Sequence, residues 1–105
     1  MVTADPAASL AGKTFVRENG GFGGDFTITL GEDGTFTYYE GFLSSYIGIG
    51  AWSLSDGVLT LRENSDYGFV FRFAVTDGAL CYLAEGSDRF LYVDVADGER
   101  FLPDD

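Results

Sequence analysis

Apolar and polar residues alternate along most of this chain, in short runs separated by turn-forming residues. Every second residue is apolar from Phe26 to Leu30, and the same period returns in Phe69, Phe71 and Phe73. A period of two residues is typical of a β-strand with one buried face. The pattern predicts eight strands, over residues 10–17, 25–30, 35–40, 51–54, 58–63, 69–75, 79–84 and 89–95.

Four Asp-Gly pairs punctuate the chain, and the first three lie between predicted strands. Asp-Gly accepts the positive φ angles of tight hairpin turns. These pairs therefore predict an antiparallel meander in which each strand pairs with the next. They are Asp33-Gly34, Asp56-Gly57, Asp77-Gly78 and Asp97-Gly98.

Sequential hairpins of this kind predict an all-β fold, in which an up-and-down meander of about eight strands closes into a small barrel, since closure removes exposed strand edges. The ten Phe, six Tyr and one Trp predict an interior filled by side chains. At 105 residues the chain forms one domain. We place an N-terminal linker at residues 1–9, the barrel at 10–102 and an acidic tail at 103–105.

Two segments break the alternation and supply the candidate contact residues. The glycine-rich loop at 19–24 carries Phe22, and the apolar stretch at 41–50 is interpreted as a wide crossover or a short helical turn. Aromatic anchors are what interfaces and small-ligand sites use. Alternatively, Phe22 folds over the barrel mouth and residues 38–47 form a plug on the core. The candidate ligand- or partner-binding residues are Phe22, Tyr39, Phe42 and Tyr46.

Charge narrows the range of partners. Seventeen acidic residues face six basic ones, for a net charge of −11. Nucleic acid and anionic membranes would be repelled, and no apolar run is long enough to insert into a bilayer. The acidity has three interpretations: solubility, a docking face for a basic partner (including mimicry of a nucleic-acid backbone), or metal binding.

Catalysis is not expected, because the chain has no histidine, the commonest general base and metal ligand. Cys81 is the one cysteine and has no basic neighbour in sequence. We therefore predict that its side chain packs as a small buried residue and does not act as a nucleophile. Residues 63–66 and 85–88 are the best candidates for a calcium site, but turn formation is the simpler interpretation of both segments. We therefore predict no enzyme activity, no cofactor and no metal site.

Three motifs in order resemble small lipocalin-like domains of bacteria. Gly12 is followed three residues later by Phe15, an Asp33-Gly34-Thr35-Phe36 hairpin comes next, and Gly50 precedes Trp52 by two residues. The resemblance covers about residues 10–101. It is similar to domains of exported lipoproteins and of sensor-type membrane metallopeptidases, and it implies a lipocalin-like barrel and an extracytoplasmic setting.

The predicted function is a non-enzymatic binding or accessory module of a bacterial lipoprotein or membrane sensor. It would contact a protein or a small ligand through its glycine-rich and aromatic loops, as a monomer or an edge-paired dimer. The alternative is a stand-alone acidic inhibitor that resembles anti-CRISPR proteins and occupies the basic groove of a nucleic-acid enzyme. Acids clustered in one stripe would favour this alternative.

Overall fold

A computed structural model of the chain describes residues 10–17, 25–41, 46–90 and 95–104. Eight strands lie within these ranges. They are β1 (Thr14–Arg17), β2 (Phe26–Leu30), β3 (Thr35–Tyr39), β4 (Ile47–Ser55), β5 (Val58–Glu63), β6 (Val70–Thr76), β7 (Ala79–Leu83) and β8 (Arg100–Pro103).

Each strand pairs antiparallel with the next along the chain, and β8 pairs with β1 to close the barrel. The closing seam sets Phe15 opposite Pro103 and Val16 opposite Leu102. The predicted all-β meander of eight strands and its closure into a barrel are confirmed. Among the described residues, no helix has the length and apolar character needed to cross a bilayer.

The tight turns lie at Asp-Gly pairs, as predicted. Asp56 and Gly57 have φ angles of 53° and 76°, and Asp77 and Gly78 have 52° and 78°. Positive φ at both central residues is the geometry of a type I′ hairpin, whose twist matches that of the flanking strands. At the β2–β3 turn the Asp33 carboxylate instead accepts hydrogen bonds from the Thr35 amide and hydroxyl. These hydrogen bonds lower the pKa of Asp33.

The interior is filled by the side chains that the alternation predicted to point inward. Phe26 packs edge-on against both Phe90 and Phe101, with ring centroids 4.8 and 5.0 Å apart. Such edge-to-face pairs are the favoured arrangement of aromatic rings. The fully buried inward residues include Phe15, Phe26, Ile28, Leu30, Phe36, Tyr38, Leu59, Leu61, Phe71 and Phe73.

The fourth strand is longer than predicted. It begins at Ile47, so the second half of the stretch interpreted as a crossover or helical turn is regular β-strand. The alternation was hidden because glycines occupy the inward positions, Gly48 and Gly50, while Ile47 and Ile49 point outward. Residues 42–45 lie outside the described residues.

The eighth strand also differs from the prediction. The last strand was predicted at residues 89–95, whereas the strand that closes the barrel is at residues 100–103, with Phe101 fully buried. In the predicted strand at 89–95, Arg89 and Phe90 are irregular, and Phe90 fills the core without belonging to a strand. Residues 91–94 lie outside the described residues. Both segments contain the same Arg-Phe-Leu triplet, at 89–91 and at 100–102, so the pattern alone did not separate them.

Candidate functional site

The two ends of the barrel differ in the length of their connections. β2, β4 and β6 lead into the short turns at 31–34, 56–57 and 77–78, at the end that we call the turn end. β1, β3, β5 and β7 lead into longer connections at the opposite end, which we call the loop end. Binding residues concentrate on loops held by a rigid scaffold, so the loop end is the place to look for a site.

A buried carboxylate organises the loop end. Glu63, the last residue of β5, points inward and is 6% exposed. Its Oε1 accepts a hydrogen bond of 2.8 Å from the Tyr38 hydroxyl. Its Oε2 accepts one of 2.8 Å from the Tyr46 hydroxyl and one of 2.5 Å from Ser65 Oγ. Because a buried charge is tolerated only when it is hydrogen-bonded, these three hydroxyls allow Glu63 to remain inside.

The tyrosines of this network are held in their neutral form. Burial, followed by the hydrogen bond to Glu63, raises the pKa of both Tyr38 and Tyr46 above the ordinary value of 10.0. Each hydroxyl therefore remains a proton donor to the carboxylate near neutral pH. Both oxygens of Glu63 are occupied by protein donors, an arrangement that favours a structural role over acid–base chemistry.

Two glycines occupy inward positions of β4 beside this network. Gly48 is paired with Tyr38, and Gly50 is paired with Glu63. A Cβ atom at Gly48 would collide with the Tyr38 ring and with Glu63 Oε1. Gly48 therefore lets the ring and the carboxylate lie directly against the β4 backbone, whereas a Cβ atom at Gly50 would collide with the backbone carbonyl of Arg62.

A run of aromatic rings leads from the solvent at the loop end into the core. Tyr67 is 63% exposed. Its ring stacks on Phe69 at a centroid distance of 5.0 Å and an interplanar angle of 4°, and it meets Tyr46 edge-on at 6.4 Å. Phe69 in turn contacts Phe71, which stacks on Phe90 at 4.0 Å. An exposed ring is thus held in one position by rings that rest on the core.

The structure places the predicted contact residues in different parts of the barrel. Tyr46 packs against the core at the loop end and belongs to the Glu63 network. Tyr39 points outward on β3, where it lies opposite Thr27 on one side and Ile47 on the other. Phe22 and Phe42 lie outside the described residues.

The sequence analysis missed Glu63 and Tyr67. The alternation of Leu59 and Leu61 continues to Glu63 and places it on the inner face of β5, which was the available signal. For Tyr67 the signal was an aromatic residue within the polar turn at 64–68.

The two segments weighed for calcium form turns. Glu63 is occupied by three hydroxyls, as described above, while Asp88 Oδ2 accepts from the Val70 amide at 2.8 Å. Ser87 Oγ accepts from the Arg72 amide and donates to the Leu83 carbonyl. Over the described ranges, no three His, Cys, Asp or Glu side chains are grouped as metal ligands.

No protein-family model, no curated protein and no solved structure matches this chain.

Proposed function

We propose that this protein is a non-catalytic binding module whose contact site is the loop end of the barrel, with Tyr67 as its anchor. The observation that carries the proposal is the exposed Tyr67 ring fixed between Phe69 and Tyr46. Aromatic side chains dominate the binding energy of many interfaces. A ring already held in place loses little rotamer freedom when a partner covers it, which favours binding.

Polar groups beside the ring support the same role. Ser65 and Tyr46 share the Glu63 carboxylate, so their hydroxyls have defined positions next to the Tyr67 platform. A site with an apolar face and a few fixed polar groups suits a protein surface or a small ligand. Phe22 and Phe42 remain proposed contact residues, since they belong to the chain segments that follow β1 and β3, whose last residues lie at this end.

The setting that we propose is a bacterial, extracytoplasmic one, in which the chain is an accessory domain of a lipoprotein or a membrane sensor. Its support is the resemblance of the motifs at Gly12, Asp33 and Gly50 to lipocalin-like domains. The closed meander of eight antiparallel strands is compatible with that fold.

The alternative proposal is an acidic inhibitor that imitates nucleic-acid charge. The charge at the turn end favours this alternative. Five acidic residues lie there beside one basic residue, Lys13; the five are Glu32, Asp33, Asp56, Asp77 and Asp104. Against it, the other described acids lie mainly at the loop end, so the charge is divided between two poles rather than gathered in one stripe. We therefore favour the binding module.

Affinity capture from source lysate, at about 50 mM and about 300 mM salt, tests the two proposals. A binding module retains its partner at both salt concentrations, and Tyr67→Ser abolishes capture while leaving the melting temperature almost unchanged. Tyr39→Ser, an aromatic replacement on the outer face of β3, is the matched control and leaves capture intact.

Other outcomes would contradict the proposed site. A basic partner that is held only at low salt, and is lost from the Asp56→Asn/Asp77→Asn variant but not from Tyr67→Ser, indicates the acidic inhibitor. Loss of capture in Tyr39→Ser with full capture in Tyr67→Ser would move the site from the loop end to the outer face.

A further inference from the structure

The outer face of the barrel carries no acidic side chain, although the chain has seventeen acids. Glu63 is the one carboxylate within the eight strands, all of which the structure describes, and it points inward. The remaining acids belong to connections and termini. In a molecule of net charge −11, the outward positions of the strands are therefore free of acidic side chains.

One side of this outer face carries two rows of uncharged residues over five strands. Strand register sets Leu102, Val16, Thr27, Tyr39 and Ile47 side by side in one row. A second row sets Thr14, Thr29, Thr37 and Ile49 side by side. We call these two rows the barrel wall.

The barrel wall exposes large apolar side chains. Ile47, Ile49 and Leu102 are 58%, 55% and 53% exposed, more than half of each side chain. A groove of about 810 Å³ runs over the first row and is lined by Val16, Thr27, Tyr39, Leu102 and Pro103, with the charged residues Arg17, Asp25, Arg100 and Asp104 also lining it. Exposed apolar surface of this kind, bordered by polar residues, marks interaction sites.

We propose that the barrel wall binds a second copy of this chain, so that two barrels pack face to face about a two-fold axis. Most other faces of two molecules with a charge of −11 repel each other. Packing wall against wall brings together two pairs of rows that contain no acidic residue, with Asp25 and Asp104 at the margin of the groove, and buries the exposed isoleucines and Leu102. The hydrophobic effect then acts where the electrostatic cost is smallest.

The margin of the groove has the charge pattern that a two-fold contact requires. Arg100 and Asp104 both line it. The ion pair found within the described ranges joins Arg17 to Glu99, which leaves Arg100 and Asp104 available for charges on a partner. In a two-fold interface the same patch faces itself, so that each arginine approaches the partner's aspartate.

Closure of the barrel favours this face over strand edges. The predicted edge-paired dimer requires a strand with an unpaired edge, whereas β1 and β8 pair with each other. Edge pairing would need that seam to open. Contact through the wall uses side chains alone and leaves every strand pair intact.

Analytical ultracentrifugation tests the proposal. We expect wild-type protein to sediment at twice the 11.3 kDa of one chain. Ile49→Asp should raise the dimer dissociation constant by about 100-fold, since like charges then face each other across the two-fold axis. Thr76→Asp adds the same charge to an exposed outward position on β6, beyond the wall, and should leave the dimer unchanged.

A charge exchange identifies the partner as a second copy. Arg100→Asp and Asp104→Arg should each weaken the dimer, and mixing the two variants should restore it as a heterodimer. A wild-type protein that stays at 11.3 kDa up to high concentration overturns the proposal. A dimer that Ile49→Asp does not weaken overturns it too, because such a dimer uses another surface.

Discussion

At the scale of single residues, the Glu63 carboxylate joins three parts of the loop end. Its hydroxyl donors come from β3, from the residue before β4 and from the β5–β6 connection. A fully hydrogen-bonded buried network fixes the groups that take part in it, whereas a partly satisfied one is costly. Tyr67 packs against one of these donors, Tyr46. The order of the proposed contact site therefore depends on Glu63.

This network predicts a pH dependence of stability at alkaline pH. Tyr38 has its pKa raised by burial and by Glu63, so it keeps its proton when the unfolded chain loses it above about pH 10. The unfolded state then binds fewer protons than the folded state, and stability falls as pH rises. Below pH 10 both states are protonated and the contribution of Tyr38 is complete.

Tyr38→Phe should lower the free energy of unfolding and also change how it depends on pH. Urea unfolding measured from pH 8 to 11 gives both quantities. At pH 8 the variant should lose about 1–3 kcal/mol, because Glu63 loses a buried donor. Above pH 10 the free energy of unfolding of the variant should fall less steeply than that of wild type. The two slopes should differ by about 1.4 kcal/mol per pH unit, the contribution of one proton. Tyr39→Phe, whose ring lies on the outer face, is the matched control. Equal slopes for Tyr38→Phe and wild type would contradict the raised pKa.

At the scale of elements, β8 determines whether the sheet is a barrel. It is four residues long and pairs with both β7 and β1. The alternation rule applied to it as well as to any other strand, since Phe101 is buried and Leu102 is exposed. The sequence analysis placed the last strand at residues 89–95 instead. Pairing with a strand more than 80 residues away is not visible in a local pattern.

Two neighbouring substitutions test the role of β8. Phe101→Ala removes a fully buried ring between Phe26 and Phe73 and should cost about 3–5 kcal/mol of unfolding free energy. Leu102→Ala removes an exposed side chain and should cost about 0.5 kcal/mol or less, measured at a concentration where the chain is monomeric. Urea denaturation followed by tyrosine and tryptophan fluorescence gives both values. Similar small losses would mean that residues 100–103 are a dispensable tail.

At the scale of the whole molecule, charge is arranged by topology. The strands carry mainly apolar, hydroxyl and arginine side chains. Apart from Glu63, the acidic residues lie in the connections and at the termini. The barrel therefore has acidic ends and an acid-free outer face. Self-repulsion of like charges opposes the compact state, and one described ion pair, Arg17–Glu99, acts in the opposite direction.

Added salt should therefore stabilise the protein. Raising NaCl from about 0.02 M to about 0.3 M screens the repulsion, and a gain on the order of 1 kcal/mol corresponds to about 4–8 °C in melting temperature at this chain length. Differential scanning calorimetry at a fixed, low protein concentration provides the measurement. Asp56→Asn, which keeps the turn and removes one charge, should show a smaller increase. A melting temperature that falls with salt would mean that attractive pairs outweigh repulsion.

The sequence by itself determined the strand period, the hairpin turns and most of the inward residues, because alternation and Asp-Gly turns are local properties of the chain. It also showed that the chain has no histidine, the commonest general base. Tertiary structure alone decided which distant residues meet. It brought Tyr38 and Tyr46 to Glu63, used Gly48 to admit them, and paired β8 with β1. Those choices depend on packing across the barrel, where each contact is set by partners many residues away.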